Sequence, residues 1–174
     1  MTHPPLWPAH LHHFCLETPQ IRPAAEKGFG YVGYALADTD RLARFDADMT
    51  AKGVGRSDQR SPVFADGQVS ILDTDGKCFI FGVPVRPETD TPDRLPGRLQ
   101  HLGICTTDMD RLIGFFTGTV GFRPSDIVKN DDGGVSACFL RSDHEHHDLA
   151  LFAASSSRFD HQCYETTCWN DIRD

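Results

Sequence analysis

A six-residue segment that occurs twice sets the strongest limit on how this chain can fold. Residues 40–45 (DRLARF) match residues 110–115 (DRLIGF), and each copy follows a predicted strand by a few residues. Each copy lies in a predicted helix that is followed by several predicted strands, so the repeating unit is βαβββ. Because such a unit buries the inner face of its helix only by pairing, the sequence predicts an α+β protein of paired βαβββ modules with open, curved, mixed β-sheets.

The repeat divides the chain into two modules. Residues 84–97 contain four prolines and show no apolar periodicity, which is typical of a linker. We therefore predict a first module at residues 1–83, a linker at 84–97 and a second module at 98–174.

Capping residues and apolar spacing place the two helices. Asp38 or Thr39 precedes one run of apolar residues at helical spacing, and Asp108 precedes the other. Gly121 is expected to end the second helix. Runs of β-branched and aromatic residues predict strands at 11–17, 31–36, 69–72, 78–81, 99–104, 135–140 and 148–152, with a further strand around His161.

Bulk properties exclude several classes of partner. The formal net charge of -8 argues against nucleic acid or an anionic membrane surface. No apolar run approaches the roughly 18 residues of a membrane span, and the first residues do not predict a secretory signal. The six cysteines form no Cys-x-x-Cys pair, which indicates reduced thiols. We expect a cytoplasmic, homo-oligomeric protein that binds neither nucleic acid nor membranes.

Two histidines on predicted strands are the candidate functional residues. His101 lies in an apolar strand, and His161 lies in another strand 60 positions later. Two strand histidines can converge on one metal ion if their strands are neighbours. Between them lies the cluster 143–148 (DHEHHD). The residues alone leave open whether the pair are ligands or unrelated histidines.

The order of three motifs resembles a known family. Residues 121–126 (GFRPSD) follow the second helix, residues 139–141 (FLR) precede 146–151 (HHDLAL), and residues 160–161 (DH) lead into 169–172 (WNDI). This order is similar to that of the vicinal oxygen chelate superfamily, which holds glyoxalase I, the bleomycin and fosfomycin resistance proteins and the type I extradiol ring-cleavage dioxygenases. Within the superfamily, the dioxygenases match best.

The resemblance implies an extradiol dioxygenase that cleaves a catechol-type ring with O2 at non-haem Fe(II), or Mn(II). It implies that His101 and His161 are metal ligands and that His147 is the catalytic acid/base. His146 and Phe139 are expected to contact the small aromatic substrate, whereas His144 is better explained as a surface residue. Two alternatives stay open: a glyoxalase-like isomerase or transferase, and a non-enzymatic small-molecule binder of the resistance type.

The first module serves as an internal comparison. Alignment with the second module places His13 opposite His101 and Tyr31 opposite His161. The position of the family's carboxylate ligand falls near Ile80. One histidine, a tyrosine and an isoleucine cannot hold a hard metal, so this module is predicted to be non-catalytic.

The sequence departs from the family at two places. The spacing in the first module puts the carboxylate ligand of the second near position 210, beyond Asp174. The first module also lacks about 40 residues after Glu26. Either the natural chain is longer, about 300 residues for two domains of ordinary size, or this is a truncated relative. If residues are missing, the Cα atoms of Glu26 and Lys27 should lie much farther apart than the roughly 3.8 Å of a peptide link.

Overall fold

Two mixed β-sheets, each with a crossover helix, make up the described chain. The computed structural model describes residue 7 and residues 9–17, 28–85, 97–166 and 168–169. The predicted α+β class is confirmed. The expected break after Glu26, most of the predicted linker and the helix expected from Asn170 lie outside the described residues. Within the described ranges, no helix has both the length and the apolar character needed to cross a bilayer.

The first sheet has four strands in the order β1-β2-β4-β3. Its strands are β1 (Ala9–Glu17), β2 (Gly28–Leu36), β3 (Val69–Leu72) and β4 (Cys78–Gly82). β2 pairs antiparallel with β1 and parallel with β4. Parallel neighbours need a crossover connection, and helix α1 (Thr39–Ala51) lies in it.

Helix α1 begins as the sequence predicts. The carboxylate of Asp38 accepts a hydrogen bond from the backbone N–H of Arg41 at 2.8 Å, which satisfies one of the free donors of the first turn. Leu42, Phe45 and Met49 recur at helical spacing and are all buried, so one face of the helix packs into the core.

The second sheet has five strands in the order β6-β7-β8-β5-β9. Its strands are β5 (Gly97–Thr106), β6 (Arg123–Lys129), β7 (Val135–Arg141), β8 (Leu149–Ala153) and β9 (Arg158–Thr166). β5 lies between β8, to which it is parallel, and β9, to which it is antiparallel. β5, the first strand of the second βαβββ unit, therefore pairs directly with β9, the strand that carries His161.

The second helix has two geometries where the sequence predicts one. Helix α2 (Met109–Gly114) is capped by Asp108, as predicted, and continues as a π-helix over Phe115–Val120. Gly121 ends it at φ 100°, a left-handed conformation that glycine adopts without steric cost. Its N–H donates to the carbonyl of Phe116 at 2.8 Å.

Strand β6 has no counterpart among the predicted strands. It is an edge strand that is exposed along its whole length. With neither face buried, its sequence lacks the alternation of apolar and polar residues that marks a half-buried strand. Pro124 is tolerated here because an edge strand leaves one row of backbone groups unpaired.

The two sheets share one hydrophobic core. Buried residues of both sheets and both helices form a single cluster. Aromatic rings make direct contacts across it: the ring centroids of Tyr34 and Phe122 lie 5.2 Å apart, and those of Phe79 and Phe116 lie 5.0 Å apart. The two halves of the described chain are thus held together by buried apolar surface.

A buried carboxyl group also joins the two sheets. The hydroxyl of Tyr34 donates to Asp148 Oδ1 at 3.1 Å, and the backbone N–H of Ser142 donates to Oδ2 at 2.8 Å. Ser142 Oγ donates to the carbonyl of Ala9 at 2.7 Å and also contacts Asp148 Oδ2. Because a hydroxyl carries one proton, both contacts are satisfied when the carboxyl group is protonated and donates to Ser142.

Burial raises the pKa of Asp148 to about 7, while hydrogen bonds from Ser142 and Tyr34 act in the opposite direction. The folded-state pKa lies above the unfolded value of about 3.9. The stabilising contribution of this group is therefore complete below about pH 4 and is lost as the pH rises to about 7.

Replacing Asp148 with Asn should remove this pH dependence, because the amide cannot ionise. The free energy of unfolding of the unsubstituted protein should fall by up to about 4 kcal/mol more between about pH 4 and pH 8 than that of the variant. Urea unfolding across this range measures the difference. Asp126→Asn, on exposed β6, is the control. Equal slopes for the unsubstituted protein and Asp148→Asn would contradict the assignment.

Candidate metal centre

Strands β5 and β9 place the two candidate ligands side by side. They pair antiparallel, with His161 opposite Gly103 and His101 opposite Cys163. The Nε2 atoms of His101 and His161 lie 3.1 Å apart. The ring centroids lie 5.2 Å apart, with the ring planes at 89°. The structure therefore brings the two histidines together, and their role as ligands stays a prediction.

A glycine beneath the ring of His161 allows this approach. A Cβ atom at Gly103 would lie 2.5 Å from Cε1 of His161 and 2.6 Å from its Nδ1. Both distances are far inside van der Waals contact. A side chain at position 103 would therefore displace the imidazole ring from its place beside His101.

A β-bulge precedes each of the two histidines. The register of β5 and β9 shifts between Leu99 and His101, which leaves Gln100 as an extra residue. The register shifts again between Gly103, which pairs with His161, and Ile104, which pairs with Phe159. This shift leaves Asp160 as the extra residue. In a regular strand, consecutive side chains point to opposite faces, and a bulge interrupts that alternation. The residue before each histidine can therefore reach the histidine ring.

Both bulge residues place an oxygen acceptor at the Nδ1 atom of the histidine that follows. Asp160 Oδ2 lies 2.9 Å from His161 Nδ1, and Gln100 Oε1 contacts His101 Nδ1. The amide nitrogen of Gln100 donates to the carbonyl of His147 at 3.1 Å, which fixes the orientation of the amide. An acceptor at Nδ1 favours the tautomer with its proton there, so Nε2 keeps its lone pair.

The charges around the pair support this assignment. Burial lowers the pKa of His101 to about 4, with smaller contributions from His147 and His161, so His101 is neutral near pH 7. Hydrogen bonds from His161 and Arg158 lower the pKa of Asp160 to about 2. An ionised carboxylate therefore accepts from the Nδ1–H of His161.

The donor pair fits a divalent metal ion. The two Nε2 atoms, 3.1 Å apart, are at hydrogen-bonding distance, so either a proton on one of them or a cation between them satisfies both nitrogens. A metal with bonds of about 2.0–2.1 Å to imidazole holds two nitrogens about 3.0 Å apart at a right angle. Within the described ranges of the chain, no group of three or more His, Cys, Asp or Glu side chains is arranged to hold a metal.

His147 lies beside this pair, in the loop just before β8. Its ring centroid is 4.5 Å from that of His101 and 5.0 Å from that of Phe139. Burial lowers its pKa, and the neighbouring His146 and His161 add to the effect. The neutral imidazole can accept a proton. The structure thus places His147 where an acid/base is expected, and that role stays a prediction.

The two expected substrate-contact residues differ in their placement. Phe139 is half-buried on β7 and packs against His147. His146 is exposed, with its ring centroid 6.3 Å from that of Phe139, and so lies at the rim of the site. His144 is 86% exposed, in agreement with a surface role. The proposed contacts of Phe139 and His146 with substrate remain predictions.

Four residues of the site were missed by the sequence analysis. They are Gln100, Asp160, Gly103 and Phe152, whose ring centroid lies 5.8 Å from that of His161. Strand alternation puts the residue before a histidine on the opposite face. A polar acceptor directly before each histidine is a signal in the sequence, but its meaning depends on the two bulges.

The first sheet repeats the strand pair without the donor set. β1 and β2 pair with the same register shifts as β5 and β9, and His13 and Tyr31 occupy the matching positions, as aligned from the sequence. Their ring centroids lie 5.6 Å apart, with the ring planes at 84°. Ser61 Oγ lies 2.7 Å from His13 Nε2, and Phe64 packs on the same ring. Protein side chains thus surround His13, and the predicted non-catalytic role of this half is untested.

Comparison with known families agrees with this geometry. The sequence profile of the Glyoxalase/Bleomycin resistance protein/Dioxygenase superfamily matches residues 98–164, which contain the second sheet except for the outermost residues of β5 and β9. This match covers 67 of the 174 residues, all of them in the second half of the chain. The resemblance identified from the motifs is confirmed.

One curated relative extends the superfamily likeness to most of the chain. The chain is 25% identical over 181 residues to biphenyl-2,3-diol 1,2-dioxygenase from Paraburkholderia xenovorans (strain LB400). The alignment covers 91% of this chain and 61% of that enzyme. The chain thus spans about six tenths of the length of this relative.

Solved structures of the superfamily share the fold. The 2,3-dioxygenase LapB from Pseudomonas sp. KL28 has a TM-score of 0.72 at 18% identity, over 87% of this chain and 59% of LapB. The Mn(II)-bound glyoxalase from Novosphingobium aromaticivorans has a TM-score of 0.67 at 18% identity, over 87% of this chain and 51% of the glyoxalase. The predicted vicinal oxygen chelate fold is confirmed.

Replacing Gly103 with Ala should weaken metal binding, because the added Cβ displaces the ring of His161. Gly33→Ala is a matched control: its Cβ would lie 2.2 Å from the ring of His13 and would disturb only the first sheet. We expect Zn(II) affinity, measured by competition with a chromophoric chelator, to fall about tenfold or more in Gly103→Ala. The Zn(II) affinity should be unchanged in Gly33→Ala. Equal losses of affinity in both variants would contradict a metal site at His101 and His161.

Proposed function

We propose that this chain is an extradiol dioxygenase-like protein that cleaves a catechol-type aromatic ring with O2 at a divalent metal. The observation that carries the proposal is the convergence of two Nε2 atoms, 3.1 Å apart, with acceptors behind both Nδ1 atoms. The likeness to a biphenyl-2,3-diol 1,2-dioxygenase supports an aromatic diol as the substrate.

His101 and His161 would hold the metal, preferably Fe(II) and alternatively Mn(II). When bound, the metal would supply the Lewis acidity and one-electron chemistry for a reaction between a diol and O2. Two histidines are the nitrogen part of the two-histidine, one-carboxylate set that leaves one face of iron(II) open. A carboxylate ligand would complete this set.

His147 would take the proton from a substrate hydroxyl. Its ring is packed between those of His101 and Phe139, so a diol oxygen bound beside His101 lies within its reach. Phe139 offers an apolar ring against which the aromatic substrate can pack. His146, at the rim, would contact the outer part of the substrate. A homo-oligomeric state and a cytoplasmic location remain expectations.

Replacing either candidate ligand should abolish ring cleavage. The test adds Fe(II) and biphenyl-2,3-diol to the metal-free protein under argon, then admits O2 and measures its uptake and the ring-opened product. Formate in the buffer offers an external carboxylate oxygen as a further ligand. We expect activity in the unsubstituted protein, loss in His101→Ala and His161→Ala, and retention in His13→Ala, which alters the matching position of the first sheet.

Other outcomes of this assay would identify the alternatives. Diol binding with no O2 uptake by the unsubstituted protein would indicate a non-enzymatic binder. In a parallel assay that supplies a thiol–aldehyde adduct instead of the diol, isomerisation of the adduct would indicate a glyoxalase-like enzyme. Either outcome would reject the dioxygenase proposal.

His147→Ala should lower the rate of ring cleavage while leaving metal binding intact. Loss of a general acid/base costs about 10²- to 10⁴-fold in rate. Steady-state O2 uptake gives the rate, and chelator competition gives the metal affinity. His144→Ala, in the same loop but on the surface, is the control and should behave like the unsubstituted protein. An unchanged rate in His147→Ala would exclude the acid/base role.

A further inference from the structure

We propose that Asp160 and Gln100 are positioning residues that select Nε2 as the coordinating atom of His161 and His101. Each accepts the Nδ1–H of the histidine that follows it, so both Nε2 lone pairs face the same point. The part of this inference that concerns metal binding rests on the proposed function. The part that concerns the tautomers can be tested without a metal.

Asp160 is itself held in place by two donors besides His161. Its Oδ2 accepts from His161 Nδ1 at 2.9 Å, while Oδ1 accepts from Arg158 at 2.6 Å and from the thiol of Cys105 at 3.4 Å. A carboxylate with both oxygens engaged cannot rotate away from the imidazole. Asp160 therefore sets the tautomer of His161, and Gly103 leaves the space that the ring occupies.

Gln100 connects the candidate metal ligand to the candidate acid/base. Its carbonyl oxygen faces Nδ1 of His101, and its amide nitrogen donates to the backbone carbonyl of His147 at 3.1 Å. One side chain thus sets the tautomer of His101 and anchors the loop of His147 beside it. An amide is suited to this position because it provides one acceptor and one donor.

The first sheet shows that the bulges alone do not make this arrangement. The matching extra residues of β1 and β2 are His12 and Gly30. Glycine has no side chain, and the Nδ1 of His12 lies 2.8 Å from the Nδ1 of His13. The two bulges occur in both strand pairs, whereas an amide and a carboxylate acceptor occur only in the second pair. The amide and carboxylate acceptors therefore occur where two histidines converge, and the bulged backbone alone does not bring them with it.

The physical consequence of losing an acceptor is a change of tautomer. A neutral imidazole without a partner at Nδ1 can carry its proton on Nε2, and a protonated Nε2 cannot bind a metal. Removing such a partner typically costs about 10- to 100-fold in metal affinity.

The test uses the metal-free protein and the variants Asp160→Ala and Asp160→Asn. Glu165→Ala is the matched control, because it removes an exposed carboxylate from the same strand. Long-range ¹H–¹⁵N NMR correlations of the imidazole rings report which nitrogen of His161 carries the proton. Zn(II), a diamagnetic probe, is then titrated in competition with a chromophoric chelator.

We expect His161 to carry its proton on Nδ1 in the unsubstituted protein and to shift toward the Nε2–H form in Asp160→Ala. Zn(II) affinity should fall about 10- to 100-fold in that variant. Asp160→Asn, which keeps an acceptor oxygen, should largely retain both the Nδ1–H tautomer of His161 and the Zn(II) affinity. Glu165→Ala should match the unsubstituted protein. Gln100→Ala makes the same test at His101, so the inference does not depend on the folding of one variant.

An unchanged tautomer of His161 in folded Asp160→Ala, with Zn(II) affinity within about twofold, would overturn the inference. Failure of the unsubstituted protein to bind Zn(II) would reject the proposed metal centre instead. In that case the NMR result still decides whether Asp160 positions His161, because it is recorded without metal.

Discussion

The carboxyl group of Asp148 is the buried polar contact on which the arrangement of the two sheets depends. Burial of an unpaired carboxylate is costly, and this group is kept inside the protein by the hydroxyl of Tyr34 and by Ser142. Through Ser142 the contact reaches the carbonyl of Ala9. β1 and β2 of the first sheet are thus tied to the loop before β8. That loop carries His147, so the contact that joins the sheets also fixes one member of the candidate site.

The strand pair β5–β9 and the pair β1–β2 show how one backbone frame supports different chemistry. Both have two bulges at matching positions and two aromatic rings at nearly right angles. In the first sheet, Ser61 and Phe64 occupy the space against His13. In the second, His101 meets His161, and the acceptors behind them leave two lone pairs facing each other. The difference is one of side chains alone.

The superfamily match and the geometry converge on the same part of the chain. Residues 98–164 contain the paired histidines, both bulges and the loop of His147. The family likeness gives a class of chemistry for the site, and the physical arrangement gives a reason why it suits a metal: a neutral His101 and an ionised Asp160 place lone pairs inward and negative charge behind them. The substrate and the metal are proposals that these two lines of argument support.

The sequence by itself determined the local elements and the identity of the paired histidines. Asp38 and Asp108 cap helices because their carboxylates satisfy free N–H groups a few residues away, which is local chemistry. Only the tertiary structure revealed β6, which has no buried face to leave a pattern, and the roles of Gln100 and Asp160. Those roles arise from register shifts between strands that are distant in sequence. In a regular strand, Gln100 and Asp160 would each point to the opposite face of the sheet from the histidine that follows. The bulge, which forms only when the partner strand pairs, removes that separation.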